Sequence, residues 1–242
     1  MTRTAIIAAM PGEFKPLVRN WQHTRSNGVD LWRHSSNDAE WIAACAGAGV
    51  DRAAKAFAEV ERLGPIDSVI STGWAGALRE ELVPGGAYWV AGVIDARTGE
   101  RFAADSTDRF PRSQNRDLGH RGCSLVTSPT MAGHEEKRRL AAAYGAGMVD
   151  MEASAVARLA QMRGIPFYCI KGVSDGYNDQ LLDFNRFISS DGQFKLIWFI
   201  AFVLLRPRYW PALMRMGENS KRAAQSIAAS LLDFLEESGH VR

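Results

Sequence analysis

Three acidic residues stand where an α/β protein places side chains that move protons. Glu13 follows the short apolar run Thr4 to Met10 across Pro11-Gly12. Glu152 opens a helical stretch directly after Met148-Val149. Asp175 follows the apolar run Pro166 to Val173. In open parallel sheets, ligands bind beyond the carboxyl ends of the strands, so three carboxylates at three strand ends can meet in one cleft. Positioned carboxyl groups act there as general acids and bases. Each also has a plainer explanation. A Glu at a helix start is favoured by the macrodipole, and an Asp after a strand often caps the next turn.

The elements that must hold these residues follow from pattern. Thr4 to Met10 reads as a buried strand, and Leu31 to His34 with Trp41 to Cys45 as a hairpin or meander around a polar turn. Gly47 and Gly49 lead into a helix over Asp51 to Leu63, with Ala53, Ala54, Phe57 and Val60 on its apolar face, ended by Gly64-Pro65. Val69 to Thr72, Ala87 to Ile94 and Ser124 to Thr127 read as strands. Helices are expected over His134 to Tyr144, Glu152 to Arg163 (stripe Ala155, Val156, Leu159) and Ala212 to Glu237 (stripe Ile227, Leu231, Leu232, Leu235). Strands alternating with helices predict one α/β domain over 1–242, with a central mixed, largely parallel twisted sheet flanked by helices. The polar span Asp95 to Gly122 reads as a long loop.

Bulk composition narrows the function classes. With 46% hydrophobic residues the chain can bury a substantial core, and 29 Lys and Arg against 27 Asp and Glu leave a net charge of +2. That balance gives no electrostatic case for nucleic acid as a partner. Cys45, Cys123 and Cys169 have no paired spacing, which fits free thiols in a reducing, cytoplasmic compartment. The histidines form no metal-ligand pattern, and Gly47-x-Gly49 lacks the rest of a dinucleotide fingerprint, so neither metal nor cofactor is expected.

Five local words, in order, resemble those of one superfamily. Gly147-Met148-Val149-Asp150-Met151-Glu152-Ala153 is similar to the Met-Glu signature of the methylthioadenosine/S-adenosylhomocysteine nucleosidases and their nucleoside phosphorylase relatives. Val173-Ser174-Asp175 resembles their Ser-Asp motif, Ser71-Thr72-Gly73-Trp74-Ala75-Gly76 their Thr-Gly-Ser-Ala-Gly loop, Cys45 to Gly49 the preceding glycine turn, and Ala9-Met10-Pro11-Gly12-Glu13 the N-terminal Ala-Met-x-x-Glu. The resemblance spans residues 4 to 180 and implies a nucleoside phosphorylase-like fold and cleavage of a purine nucleoside. Such a bond breaks through an oxocarbenium-like sugar, with the leaving base protonated and a water activated. By this resemblance Asp175, helped by Ser174, holds or protonates the purine N7; Glu152 binds ribose hydroxyls over Met151; Glu13 activates the water. Ala75 and Gly76 line the substrate loop beside Trp74, and Met131 takes the place of the aromatic that stacks on the base. Asp175 then needs a proton near neutral pH, which calls for burial that favours the neutral carboxyl.

Departures from the family pattern sharpen the reading. Phosphorylases hold phosphate with arginines and a serine; here Ser71, Trp74 and Pro16 stand in those places. Hydrolysis is therefore expected, with a phosphate-dependent phosphorylase and a catalytically silent nucleoside-binding protein as the competing readings. Lys171 replaces an Arg usual in the nucleosidases. Trp74, where Ser is usual, either reshapes the pocket or is a core aromatic. The stretch at about 194–216, before the last helix, reads as an apolar insertion. Its run Leu196 to Leu205 spans about 15 Å as a helix, too short to cross a bilayer. It either packs internally or at a dimer interface, or meets lipid as an interfacial helix. This tail resembles that of the hopanoid-associated phosphorylase-like proteins, which implies an adenosylhopane-type substrate and peripheral membrane contact. The family resemblance also implies a homodimer or higher assembly, with the span Asp95 to Gly122 a candidate for closing a neighbour's site.

Overall fold

A computed structural model describes residues 2–36, 39–105, 123–179 and 210–240, with side chains to 236 in the last helix. In chain order the elements are β1 (Thr2–Ala8), a 3-10 turn (Pro11–Glu13), β2 (Gln22–Ser26), β3 (Val29–Ser36), β4 (Ala39–Cys45), α1 (Val50–Glu61), β5 (Ser68–Ser71), β6 (Trp74–Ala77), β7 (Ala87–Asp95), β8 (Arg101–Ala103), β9 (Cys123–Thr127), α2 (His134–Tyr144), β10 (Met148–Asp150), α3 (Ala153–Arg163), β11 (Phe167–Asp175) and α4 (Trp210–His240).

The strands form one mixed sheet in the order β2-β3-β4-β1-β5-β11-β6-β10-β9-β7-β8, and β7 also pairs with β11. That extra pairing closes β11, β6, β10, β9 and β7 into a barrel-like ring, while β5, β1, β4, β3 and β2 extend from β11 as an open sheet. β11 thus belongs to both halves. Six of the eleven pairings among the described residues are parallel, and the parallel set includes β4, β1, β5 and β11 side by side. The fold is the expected α/β architecture with a mixed sheet.

Sequence pattern explains how the layers pack. In α1, Ala53, Ala56, Phe57 and Val60 recur at helical spacing and are fully buried. They share a core with Val156, Ala157 and Ala160 of α3 and with β1, β4 and β5. On the opposite face, Ile227, Ala228, Leu231, Phe234 and Leu235 of α4 pack on Ile6, Ile70 and Ile170. Leu140 of α2 covers the ring with Val126 and Val149.

Several expectations need correction. Leu232, expected on the buried stripe of α4, is 46% exposed, because the stripe follows Ala228, Leu231 and Leu235. In place of the expected loop at Gly73 to Gly76, Trp74–Ala77 is a strand held between β11 and β10. β8 interrupts the expected loop Asp95 to Gly122, whose residues 106–122 lie outside the described residues. The sequence pattern does not predict β2, whose residues are mostly exposed. The expected apolar insertion lies outside the described residues up to 209, and α4 starts at Trp210 within it. Among the described residues, no helix is long and apolar enough to cross a membrane.

Candidate active site

The C-terminal ends of β1, β4, β10 and β11, together with β6, line one cavity of about 1220 Å³. Glu13, Trp74, Ala75, Gly76, Met131, Met151, Glu152, Ser174 and Asp175 all line it, so the residues to which the resemblance gives a catalytic or substrate role lie around one cavity. Glu13, Glu152 and Asp175 are each at least nine-tenths buried.

Glu13 is fixed by the main chain. After β1, the 3-10 turn Pro11–Glu13 folds the side chain back, and Oε2 accepts the N–H groups of Ala9 and Met10 at 2.7 and 2.9 Å. Oε1 accepts the Trp74 N–H at 3.1 Å, which ties the end of β1 to the start of β6. The turn before β6 needs glycine. Gly73 has φ +125°, and a Cβ there would lie 2.9–3.0 Å from the Glu13 carboxyl. Burial pushes the Glu13 carboxyl above its ordinary range; the three N–H donors and the charge of Lys171 restrain that rise.

Glu152 sits at the junction of β10 and α3. Its Oε1 accepts the Gly49 N–H at 2.8 Å, and Oε2 accepts the Met151 N–H at 3.2 Å. Burial, then the charges of Asp150 and Glu13, push its carboxyl up to about 8, against the pull of Lys171 and the Gly49 N–H.

Two residues of this cluster had no assigned role in the sequence. Asp150 Oδ2 pairs with Lys171 Nζ at 2.9 Å and accepts the Ala153 N–H at 2.9 Å, while Oδ1 accepts the Thr127 hydroxyl at 2.7 Å. Lys171, fully buried in β11, also donates to the Thr72 carbonyl at 2.9 Å. Burial alone would push this ammonium down; Asp150 and Glu152 overrule it and hold the ammonium above its usual value. One buried cation thus faces a group of carboxylates that would otherwise repel one another. A lysine inside the apolar strand Phe167 to Val173 was the available signal, since an unpaired charge is not tolerated there.

Asp175 is held by two donors. Its Oδ2 meets the ammonium of Lys137 from α2, and its Oδ1 accepts the Ser174 hydroxyl at 2.6 Å. The expected burial is present, and the neighbours on both oxygens are polar.

Trp74 is a wall of the cavity, not a core filler. It is half-buried, its Cη2 lies 3.1 Å from where a Cβ on Gly12 would be, and its indole N–H donates to the Ser220 carbonyl of α4 at 3.0 Å. Leu213 and Met216 of α4 extend the wall outward, and the exposed Lys15, Arg19 and Lys221 stand around the mouth. Pro16 lines the cavity, whereas Ser71 is sealed inside β5 and does not.

The sequence profile of the phosphorylase superfamily matches residues 3–129 and 112–194. The chain belongs to the phosphorylase superfamily. Solved structures share the fold. The apo 5′-methylthioadenosine nucleosidase of Arabidopsis thaliana is similar at 17% identity with a TM-score of 0.75, covering 100% of this chain and 98% of that one. The Helicobacter pylori 5′-methylthioadenosine/S-adenosylhomocysteine nucleosidase bound to butyl-thio-DADMe-Immucillin-A gives 15% identity and 0.72, over 98% and 99% of the two chains. Futalosine hydrolase of the same organism gives 15% identity and 0.74, over 98% of each. No curated protein matches the sequence.

Proposed function

We propose that this chain hydrolyses the N-glycosidic bond of a purine nucleoside carrying an apolar 5′ substituent. The observation that carries the reading is the convergence of Glu13, Glu152 and Asp175 on one cavity. Their division of labour follows from their surroundings. Glu13 is buried and held by three main-chain N–H groups, and burial raises its carboxyl above the ordinary range, which makes it a stronger base than an exposed carboxylate. Glu152, its carboxyl pushed up to about 8 by burial and by the charge of Asp150, faces the ribose hydroxyls from the junction of β10 and α3. Asp175 and Ser174 hold the N7 edge of the base, with Met131 and Met151 packed around base and sugar. As the C1′–N9 bond lengthens, positive charge builds on the sugar between the carboxyl groups, and a water held by Glu13 attacks C1′.

Hydrolysis is favoured over phosphorolysis because the buried carboxyl Glu13 lines the cavity, where it would repel an attacking phosphate. The cations that line the cavity, Lys15, Arg19 and Lys221, are all exposed. The similar solved nucleosidases, named for methylthioadenosine and futalosine, support the same substrate class by analogy of fold.

The finer reading is a lipid-linked adenosine of the adenosylhopane kind. A cavity of about 1220 Å³ exceeds the range of about 300–1,000 Å³ usual for small-molecule pockets. Its outer wall is the apolar face of α4 around Leu213 and Met216. A membrane-peripheral homodimer or higher oligomer in the cytoplasm, drawing substrate from lipid, completes the proposal.

The test is a panel of 5′-substituted purine nucleosides, with and without phosphate, reading free base and sugar product. Release of adenine with free ribose product, independent of phosphate and faster for long apolar substituents, is the expected result. Ribose 1-phosphate as product would overturn hydrolysis. Fast turnover of methylthioadenosine, together with no cosedimentation with liposomes, would overturn the lipid-linked substrate. Sedimentation velocity reads the assembly state.

A further inference from the structure

The charged side chains that line the cavity are sorted by depth. Among the described residues, its carboxyl groups, on Glu13, Asp150, Glu152 and Asp175, are all buried. Its exposed charges, on Lys15, Arg19 and Lys221, are all positive. Lys15 and Arg19 follow the 3-10 turn after β1, and Lys221 comes from α4, so two separate segments contribute to one basic rim.

The same two segments expose apolar surface. Met10, Trp210 and Met214 are three of the seven large apolar side chains exposed among the described residues. Met10 lines the cavity. Trp210 and Met214 fall on one face of α4 with Gly217 and Lys221, at spacings of four, three and four residues, and the last two line the cavity as well. Single exposed apolar residues are ordinary, but an apolar patch beside a polar rim marks a binding surface.

We infer that this mouth docks on an anionic lipid surface: Met10, Trp210 and Met214 enter the headgroup layer, while Lys15, Arg19 and Lys221 meet the lipid phosphates. The contact is interfacial, since no helix among the described residues is long and apolar enough to cross a bilayer. The inference rests on the nucleosidase reading for its purpose and deepens it. An apolar 5′ group passes from the lipid past Leu213 and Met216 toward the buried carboxyl groups, without crossing open water. Charge favours lipid over a second copy of this chain. A two-fold contact through this face would set each basic rim against its own twin, and like charges brought together weaken association.

The experiment is cosedimentation of the full chain with two kinds of vesicle, phosphatidylcholine alone and phosphatidylcholine with phosphatidylglycerol in equal parts. Wild type is expected to partition onto the anionic vesicles at least about tenfold better than onto the neutral ones. A basic side chain near such a surface is worth about fivefold in partitioning, so Lys15→Gln, Arg19→Gln and Lys221→Gln together should weaken binding about 100-fold. Met214→Ser should weaken it about fivefold to tenfold. Lys55→Gln, Arg62→Gln and Arg138→Gln together remove as much charge from exposed residues that do not line the cavity, and should leave binding within about threefold. If the rim triple variant fails to fold by circular dichroism, the three single variants replace it, each losing about fivefold. The idea is overturned if wild type binds both vesicles alike or binds neither, or if the two triple variants lose equally. A rim variant that keeps its vesicle binding but sediments as a smaller species assigns this face to a second copy, and also overturns it. Vesicle binding is read without substrate, so its absence sinks the docking alone. A wild type that binds vesicles yet releases no base from any nucleoside sinks the nucleosidase reading alone.

Discussion

Trp74 and Ser220, 146 residues apart, are joined by an indole N–H donated to a main-chain carbonyl at 3.0 Å. The same tryptophan donates its main-chain N–H to Glu13. One residue therefore links the carboxyl proposed to activate water with the helix that walls the outer cavity. Trp74→Ala removes both the wall and the link to α4. We expect KM for long-chain nucleosides to rise about tenfold, since a lost hydrogen bond and lost contact together remove about 1–2 kcal/mol. Nucleosides with a small 5′ group should be affected less.

Glu13→Gln should lower kcat by about 100- to 10,000-fold, the usual worth of a positioned base. The amide brings a second effect. Both Glu13 oxygens accept main-chain N–H groups, so a Gln NH2 must face a donor whichever way it turns. That mismatch should cost about 1–3 kcal/mol of stability. Thermal unfolding and single-turnover base release, read on the same variant, separate the two effects.

The raised carboxyl of Glu152 gives a pH signature. Folding lifts it from the ordinary value of 4.5 to about 8, so over that interval the folded chain binds a proton that the unfolded chain releases. Its contribution to stability is complete below about pH 4.5 and falls away as pH rises to about 8. Melting temperature should therefore decline across this window more steeply in the wild type than in Glu152→Gln. Parallel curves for the two proteins would show that Glu152 titrates normally.

Lys171→Met should be among the most destabilising single changes. It leaves Asp150 buried without its cation, a loss of about 3–5 kcal/mol for a broken buried pair. For a chain of this size that corresponds to a fall in melting temperature of roughly 6–20 °C. Lys171→Arg keeps the charge and should recover most of it. Differential scanning calorimetry reads both.

Gly76→Ala should cost activity more than stability. The added methyl crowds Asp175 Oδ2 at 3.0 Å, Lys137 Cε at 3.1 Å and Val149 Cγ1 at 3.3 Å, so the carboxyl and its lysine partner must shift by a few tenths of an ångström. A kcat loss of about tenfold or more, with melting temperature within a few degrees of wild type, is the expected result.

Much of this arrangement was legible in the residues because it is local. The apolar runs ending in Pro11-Gly12-Glu13 and Ser174-Asp175 announced strands with acids at their ends, and α2 was bounded at His134 and Tyr144 as found. What escaped was weakly patterned or long-range. β6 is Trp-Ala-Gly-Ala, with no β-branched residue and no alternation, and only its neighbours β10 and β11 make it a strand. β2 carries mostly exposed residues and so had no apolar signal, yet Asn27-Gly28, both at positive φ, are the residues that a tight hairpin demands. Lys137 stands three residues before the buried Leu140, a helical spacing that puts it on the inner face, but nothing local names Asp175 as its partner. Ion pairs across 38 residues are written in the fold, not in the segment.

α4 comes after all eleven described strands in the chain, and it is the helix that brings Leu213, Met216 and Ser220 to the cavity. Its Ile227, Leu231 and Leu235 complete the apolar cluster around Ile6, Ile70 and Ile170, so contacts made by a late-synthesised segment cover one face of the early strands. Apolar surface that is transiently exposed during synthesis is prone to self-association, and docking of α4 removes part of it.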